Sequence, residues 1–101
     1  MVQTELEVVD LPDQGRFELT VDGHTAELVY RIEEGRLVLV HTEVPEALEG
    51  RGIGGALVEA ALDRSARDDL TVVPLCPFAR RWLERHPDRA ARVPIDWDHP
   101  R

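Results

Sequence analysis

The chain has 101 residues, 43% of them hydrophobic and 5% aromatic, which predicts one small domain over residues 1–101 with an aliphatic core. A formal net charge of -8 argues against a general nucleic-acid-binding protein, which needs a basic face to displace counterions. Cys76 is the only cysteine and the four histidines lack metal-ligand spacing, so we expect no internal disulfide and no metal. No signal-peptide pattern and no apolar run of ~20 residues is present, which predicts a cytoplasmic protein without a membrane partner.

The first half of the chain predicts an antiparallel meander. Two turn signals, Asp22-Gly23 and Glu34-Gly35, separate runs with the composition of β-strands. The three predicted strands span residues 17–21, 25–32 and 36–44, and residues 5–9 are an expected edge strand.

The third predicted strand is apolar on both faces at its start, so we expect it to be central in the sheet and covered on both sides. Strict alternation places one set of side chains on one face, namely Leu37, Leu39, His41 and Glu43, and the other set on the opposite face, namely Val38, Val40, Thr42 and Val44. A central strand that ends in polar side chains is typical of a functional site.

A glycine-rich segment and a helical pattern follow. Four of the six positions from 50 to 55 are glycine. The pattern predicts a helix over residues 52–67, a buried strand over 70–75 and a second helix over 77–86, with Phe78 and Trp82 in its core-facing side. The usual right-handed crossover makes the strands on either side of the first helix parallel. Residues 88–101 are predicted to be an irregular tail, in which Val93 and Ile95 are candidates for a short strand.

A glycine-rich turn between a strand and a helix is typical of a phosphate-binding site. The N–H groups of the first helical turn are free, and the helix dipole favours an anion there. Arg51 adds a positive charge. The alternative is a loose turn with close helix–strand packing, because a Gly-x-Gly pattern alone is weak. A single βαβ unit argues against a dinucleotide-binding fold, and the absence of Gly-Lys-Ser/Thr excludes a Walker loop.

The glycine segment resembles the Gln/Arg-x-x-Gly-x-Gly/Ala motif of the GNAT superfamily of acyl-CoA-dependent N-acyltransferases. It reads Glu49-Gly50-Arg51-Gly52-Ile53-Gly54, so Glu49 stands where the superfamily has Gln or Arg. The flanking segments HTEVPEALEGRGIGGALVEAAL and VVPLCPFARRWLERHP are similar to its minimal single-domain branch, the N-acetyltransferase domain-containing proteins. The resemblance implies an α+β fold in which an antiparallel meander leads into one βαβ unit with splayed parallel strands and two main helices.

The same resemblance implies an acetyl-CoA-dependent N-acetyltransferase that acts on an amine, or alternatively a non-catalytic CoA-binding module. CoA would lie between the parallel strands, with its pantetheine arm against the backbone at Val44. Arg80 could also meet the CoA phosphates, although a solvated helix-face arginine is the alternative. The predicted cosubstrate-binding residues are Val44, Glu49, Gly50, Arg51, Gly52, Ile53, Gly54, Gly55 and Arg80.

Acetyl transfer to an amine requires a deprotonated amine, a stabilised oxyanion and a leaving thiolate. Cys76 precedes a predicted helix, a position that favours the thiolate, and is a candidate nucleophile or proton donor to departing CoA. His41 is a candidate general base, and Glu43 could orient it or act through a water. The structural alternatives are a buried apolar cysteine, a hydrogen-bonded histidine and a solvated carboxylate.

The acceptor site should be shallow, because the chain lacks the early helices that enclose this pocket in larger superfamily members. An open site suits the amine of a protein or peptide, and the acidic surface permits a cationic acceptor. The oligomeric state is not predicted.

Overall fold

The structure is a computed structural model that describes residues 7–98. These residues form one sheet in the order β1-β2-β3-β4-β5, antiparallel except for the parallel pair β4–β5. The strands are β1 (Val9–Leu11), β2 (Arg16–Val21), β3 (His24–Glu33), β4 (Arg36–Glu43) and β5 (Thr71–Pro74). The α-helices are α1 (Ile53–Asp68), α2 (Pro77–Arg85) and α3 (Pro87–Ala90). The predicted architecture, a meander followed by one βαβ unit, is confirmed.

Both predicted hairpin turns are present. All four turn residues, Asp22-Gly23 and Glu34-Gly35, have positive φ, the geometry of the tight turns that match strand twist. The edge strand lies later than predicted, at Val9–Leu11, while residues 1–6 lie outside the described part of the chain. A short 3-10 turn at Pro12–Gln14 joins β1 to β2 and brings Leu11 opposite Arg16. The position of this turn, and not the residue composition of the segment, therefore determines where β1 ends.

Strand β4 contains a β-bulge at Val40. Tyr30 of β3 pairs with Leu39, but the preceding residue, Val29, pairs with His41. Val40 is therefore an extra residue that has no counterpart in β3. Because side chains alternate between the faces of a strand, one extra residue exchanges the faces of every residue that follows it.

The bulge changes the positions of the two polar residues at the end of β4. Thr42 pairs with the fully buried Leu28 and so lies on the core face of the sheet. His41 and Glu43 lie on the opposite face. The prediction that both share a face with Leu39 is wrong, because strict alternation holds only in a strand without a bulge.

The hydrophobic core lies between the sheet and the helices. Helix α1 contributes the buried side chains Ile53, Leu57, Val58, Ala61 and Leu62. The segment predicted to be an irregular tail is partly ordered, since α3 covers 87–90 and Val93 joins the core. Ile95 forms a single parallel bridge with Val72, which is less than the short strand that was a candidate there. Within the described residues, no helix has both the length and the apolar character needed to cross a bilayer.

A polar cluster links β1, β3 and α1. The Tyr30 hydroxyl donates to Asp10 Oδ1 at 2.5 Å, and Arg64 Nη1 donates to Asp10 Oδ2 at 2.5 Å. Arg64 Nη1 also lies 3.1 Å from the Tyr30 hydroxyl, and its Nε donates to Asp68. Burial and then the hydrogen bond to Asp10 raise the pKa of Tyr30 above its ordinary value of 10.0.

The raised pKa of Tyr30 can be measured directly, because this is the only tyrosine in the chain. We expect tyrosinate absorbance to appear at higher pH in the folded protein than in urea, and at lower pH in Asp10→Asn than in wild type. Since the folded-state pKa is the higher one, the stabilising contribution is complete below pH 10.0 and is lost as pH rises through the folded-state pKa. A titration that coincides with that of the urea-unfolded chain would contradict this assignment.

Candidate active site

The parallel strands β4 and β5 separate after four residue pairs, the last of which joins Leu39 to Pro74. The N–H of Leu75 bonds back to the carbonyl of Val73 at 3.1 Å, which turns the chain away from β4. The N–H of Cys76 then donates to the Leu39 carbonyl at 2.9 Å, which is the last backbone hydrogen bond between the two segments in the described part of the chain. Beyond it, β4 continues to Glu43 paired only with β3, so a gap opens in the sheet.

Cys76 lies at the apex of this gap. It occupies the residue before Pro77 at the start of α2, and only 2% of its surface is exposed. Its Sγ lies 3.2 Å from Thr42 Oγ1, and either group can donate the hydrogen bond. Thr42 was not among the predicted site residues, because without the bulge it would lie on the opposite face.

His41 and Glu43 lie together on the open face of β4. The imidazole Nε2 is 3.7 Å from a carboxylate oxygen of Glu43, and the two side chains are 60% and 69% exposed. The structure therefore brings the predicted pair His41 and Glu43 together. It does not place His41 against Cys76, which faces the core side of the sheet and contacts Thr42 instead.

A cleft of about 560 Å³ lies between the N-terminus of α1 and helix α2. We call it the glycine cleft. It is lined by Val44, Leu48, Glu49, Gly50, Gly52, Ile53, Gly54, Gly55, Ala56, Glu59, Phe78, Trp82, His86 and Arg89. Seven of the nine predicted cosubstrate-binding residues are in this set.

The positive end of helix α1 lines the glycine cleft. Gly52 precedes the helix with a φ of 75°, a left-handed conformation that glycine adopts without strain, and no side chain of the described residues caps the helix there. The first intrahelical bond runs from the N–H of Ala56 to the carbonyl of Gly52. The N–H groups of residues 53–55 therefore have no acceptor within the helix and are available to an anion.

Two of the glycines allow the aromatic side chains of α2 to lie directly on the backbone of α1. A Cβ on Gly54 would overlap the ring of Phe78, and a Cβ on Gly55 would lie 2.6 Å from Trp82 Nε1. The predicted placement in the core is wrong for Phe78, which is 38% exposed, whereas Trp82 is half-buried and packs against the core. Helical spacing shows which residues share a face but not what covers that face.

Three charged or titratable residues of the cleft were missed by the sequence analysis. The His86 ring stacks on Trp82 with ring centres 4.0 Å apart, and its Nδ1 lies 2.8 Å from the Trp82 carbonyl oxygen. Arg89 forms an ion pair with Glu59. Arg89 lies in the segment predicted to be an irregular tail, so no sequence signal pointed to it.

The two arginines predicted to contact CoA are directed elsewhere. Arg51 Nη1 lies 3.3 Å from a carboxylate oxygen of Asp22 in the β2–β3 turn. Arg80 Nη1 donates to the carbonyl of Trp97 at 2.8 Å, and its guanidinium lies over the Trp97 ring. Neither arginine is among the described residues that line the glycine cleft.

Comparison with known proteins identifies the family. The sequence profile described as GCN5-related N-acetyl-transferase matches residues 16–93. The chain belongs to this family. The solution NMR structure of a GCN5-like protein from Staphylococcus aureus superposes with a TM-score of 0.69, at 24% identity and over 96% of each chain. This likeness confirms the GNAT-like fold.

The chain is also similar to proteins named NATD1. The Danio rerio protein is 32% identical over 89 residues, which cover 85% of this chain and 81% of that protein. The Homo sapiens and Gallus gallus proteins are 40% identical over 63 residues, or 61% of this chain. Those matches span 56% and 57% of the human and chicken proteins, so the chain matches somewhat more than half of their length.

The contact between Gly54 and Phe78 predicts a coupled pair of substitutions. We expect Gly54→Ala alone to lower the free energy of unfolding by about 1 kcal/mol, because the added methyl displaces the Phe78 ring. In a Phe78→Ala background the same change should raise it by about 0.5 kcal/mol, because alanine is the better helix former. Urea unfolding of the four proteins measures the difference.

Gly55→Ala is the matched control, because its Cβ would meet Trp82 rather than Phe78. It should show little coupling to Phe78→Ala. Equal effects of Gly54→Ala in both backgrounds would contradict the packing described for this helix pair.

Proposed function

We propose that this GNAT protein transfers the acetyl group of acetyl-CoA to an amine. The observation that carries the proposal is the uncapped N-terminus of α1, which presents three N–H groups to the glycine cleft beside the gap between β4 and β5. A volume of about 560 Å³ lies within the ~300–1,000 Å³ typical of ligand pockets. Family membership supports the same cosubstrate.

The proposed contacts of CoA follow from the residues that line the glycine cleft. The N–H groups of residues 53–55 would hold the pyrophosphate, as helix N-termini commonly do. The backbone at Val44, at the end of β4, would pair with the pantetheine arm. Phe78 and Trp82 offer that arm an apolar surface, and the thioester would reach the gap at Cys76.

We assign the catalytic groups to opposite sides of the gap. Cys76 would act on the thioester from the helix side, where Thr42 holds its Sγ at 3.2 Å. His41 and Glu43, on the open face, would act on the incoming amine by accepting its proton. The amine nitrogen forms a bond to the carbonyl carbon, the bond from that carbon to sulfur breaks, and the departing sulfur takes up a proton.

Cys76 can take part in this reaction by either of two routes. In the direct route its thiol donates the proton to the departing CoA sulfur and later regains one. In the covalent route the Cys76 sulfur gives up its proton and attacks the carbonyl carbon, the bond from that carbon to the CoA sulfur breaks, and CoA takes up that proton and leaves as a thiol. The amine then attacks the acetyl-cysteine, the bond from its carbonyl carbon to the cysteine sulfur breaks, and the cysteine regains a proton in place of the one that the amine loses.

The open face of β4 supports an exposed acceptor such as an amine of a peptide or protein. His41 and Glu43 are both largely exposed, so a large substrate can approach them. The net charge of -8 favours the approach of a cationic amine.

The test combines calorimetry with intact-protein mass spectrometry. We expect wild type to bind acetyl-CoA and to acetylate at least one member of a panel of lysine peptides and small amines. One acetyl group retained on wild type but not on Cys76→Ser supports the covalent route. No adduct with normal turnover supports the direct route.

His41→Gln should lower kcat/KM by about 100-fold or more with CoA affinity unchanged, as loss of a general base does. His24→Gln, in the exposed start of β3, is the matched control and should leave both values unchanged. CoA binding without turnover on any amine would favour a non-catalytic CoA-binding module. Failure to bind CoA at all would overturn the proposed function.

A further inference from the structure

We propose that Arg89, assisted by His86, recognises the 3′-phosphate of CoA and so makes the glycine cleft selective for CoA over 3′-dephospho-CoA. This inference rests on the proposed function, since it concerns the same cosubstrate. It assigns a specificity-determining role to two residues that the glycine motif does not include.

Arg89 is the one side chain with a permanent positive charge among the described residues that line the glycine cleft, and His86 is the one imidazole there. The pyrophosphate would be held by backbone N–H groups, but a phosphate monoester carries a charge of about -1.5 to -2 and calls for a cation. Arg51 and Arg80, the other nearby candidates, are engaged with Asp22 and Trp97. The composition of the cleft therefore points to Arg89.

The position of Arg89 matches the distance between the two phosphate groups of CoA. Arg89 contacts Glu59, which follows Gly55 by four residues and so lies about 6 Å further along α1. In CoA the nearer pyrophosphate phosphorus and the 3′-phosphorus are separated by about six covalent bonds, which span at most about 7–8 Å. A pyrophosphate at the start of α1 thus places the 3′-phosphate within reach of Arg89.

The ion pairs around Glu59 allow Arg89 to exchange its partner. Glu59 is paired with Arg89 and also lies 3.8 Å from Arg92 Nη1. Arg92 in turn contacts Asp63 at 2.9 Å and does not line the cleft. When Arg89 turns to a phosphate, Glu59 keeps Arg92 as a partner. Asp88, the other carboxylate near Arg89 at 3.7 Å, is 80% exposed, so water can solvate it without the arginine. Arg89 is 44% exposed, so its side chain has room to turn.

His86 is held in an orientation that leaves one nitrogen for a ligand. The carbonyl oxygen of Trp82 can only accept, so Nδ1 of His86 carries the proton of that hydrogen bond. Stacking on Trp82 fixes the ring. Nε2 is then the nitrogen that can donate to a phosphate oxygen when the imidazole is protonated.

The test is isothermal titration calorimetry with CoA and 3′-dephospho-CoA. Wild type should bind CoA at least about tenfold more tightly than 3′-dephospho-CoA, as one charge-assisted contact provides. Arg89→Gln should lose most of that ratio by weakening CoA binding alone. Arg85→Gln, which removes an exposed arginine of α2 that is not among the described residues lining the cleft, is the matched control and should keep the ratio.

A further variant separates recognition from a structural role. Glu59→Gln removes the carboxylate that competes with phosphate for Arg89, so we expect its affinity for CoA to equal or exceed that of wild type. An ion pair that only stabilises the fold would instead make Glu59→Gln and Arg89→Gln weaken both ligands in parallel, which would overturn the inference.

Two other outcomes distinguish this inference from the proposed function. Equal binding of CoA and 3′-dephospho-CoA by wild type would overturn the role of Arg89 and leave the proposed function in place. Binding of neither ligand by folded wild-type protein would overturn both.

Discussion

The separation of β4 from β5 is the constraint on which the rest of the site depends. Two local features produce it: the bulge at Val40 in one strand, and the turn that directs the N–H of Leu75 back to Val73 in the other. Because the strands part at the bond from Cys76 to Leu39, helix α2 begins there and lies against the start of α1. This separation determines the position of the Cys76 thiol, the glycine cleft and the gap between β4 and β5.

The glycines serve the same geometry in different ways. Gly52 provides the left-handed turn that starts α1 without a capping side chain, whereas Gly54 and Gly55 make room for the aromatic residues of α2. Compared with Ser or Asp at the same position, glycine before the helix lowers the stability by only about 0.3 kcal/mol. The two alternatives raised by the sequence, close packing and anion binding, are therefore compatible. Packing against Phe78 and Trp82 forms one side of the cleft whose other side presents the free N–H groups.

Local sequence signals predicted the order of the strands and helices. The predictions that were wrong concern side-chain positions that tertiary contacts determine. The two hairpins, the parallel pair and the extent of α1 follow from turn residues and periodicity, which are properties of neighbouring residues. The faces of His41 and Glu43 depend on a bulge that is set by pairing with β3, so a period-two pattern could not show it. Likewise, Phe78 and Trp82 fall on the apolar face of α2, but only the packing of α2 on Gly54 and Gly55 leaves them open to the cleft. The direction of a long arginine side chain, such as that of Arg80, is decided by its neighbours in space.

The acidic surface acts on an approaching ligand over a longer distance than the groups that would bind the anionic cosubstrate. At physiological salt, charges more than about 8 Å apart are largely screened, so the net charge of -8 mainly affects the rate of encounter. Within the cleft, the affinity for the proposed cosubstrate would depend on the nearby hydrogen-bond donors and charges. Glu59 is offset by Arg89 and Arg92, and the N–H groups of α1 add partial positive charge without a basic side chain. Glu49 lines the same cleft and would oppose an anion, so the proposed phosphate contacts rest mainly on the backbone donors and on Arg89. Under the proposed function, this division would let the acidic outer surface attract a cationic amine while the anionic cosubstrate binds at the start of α1.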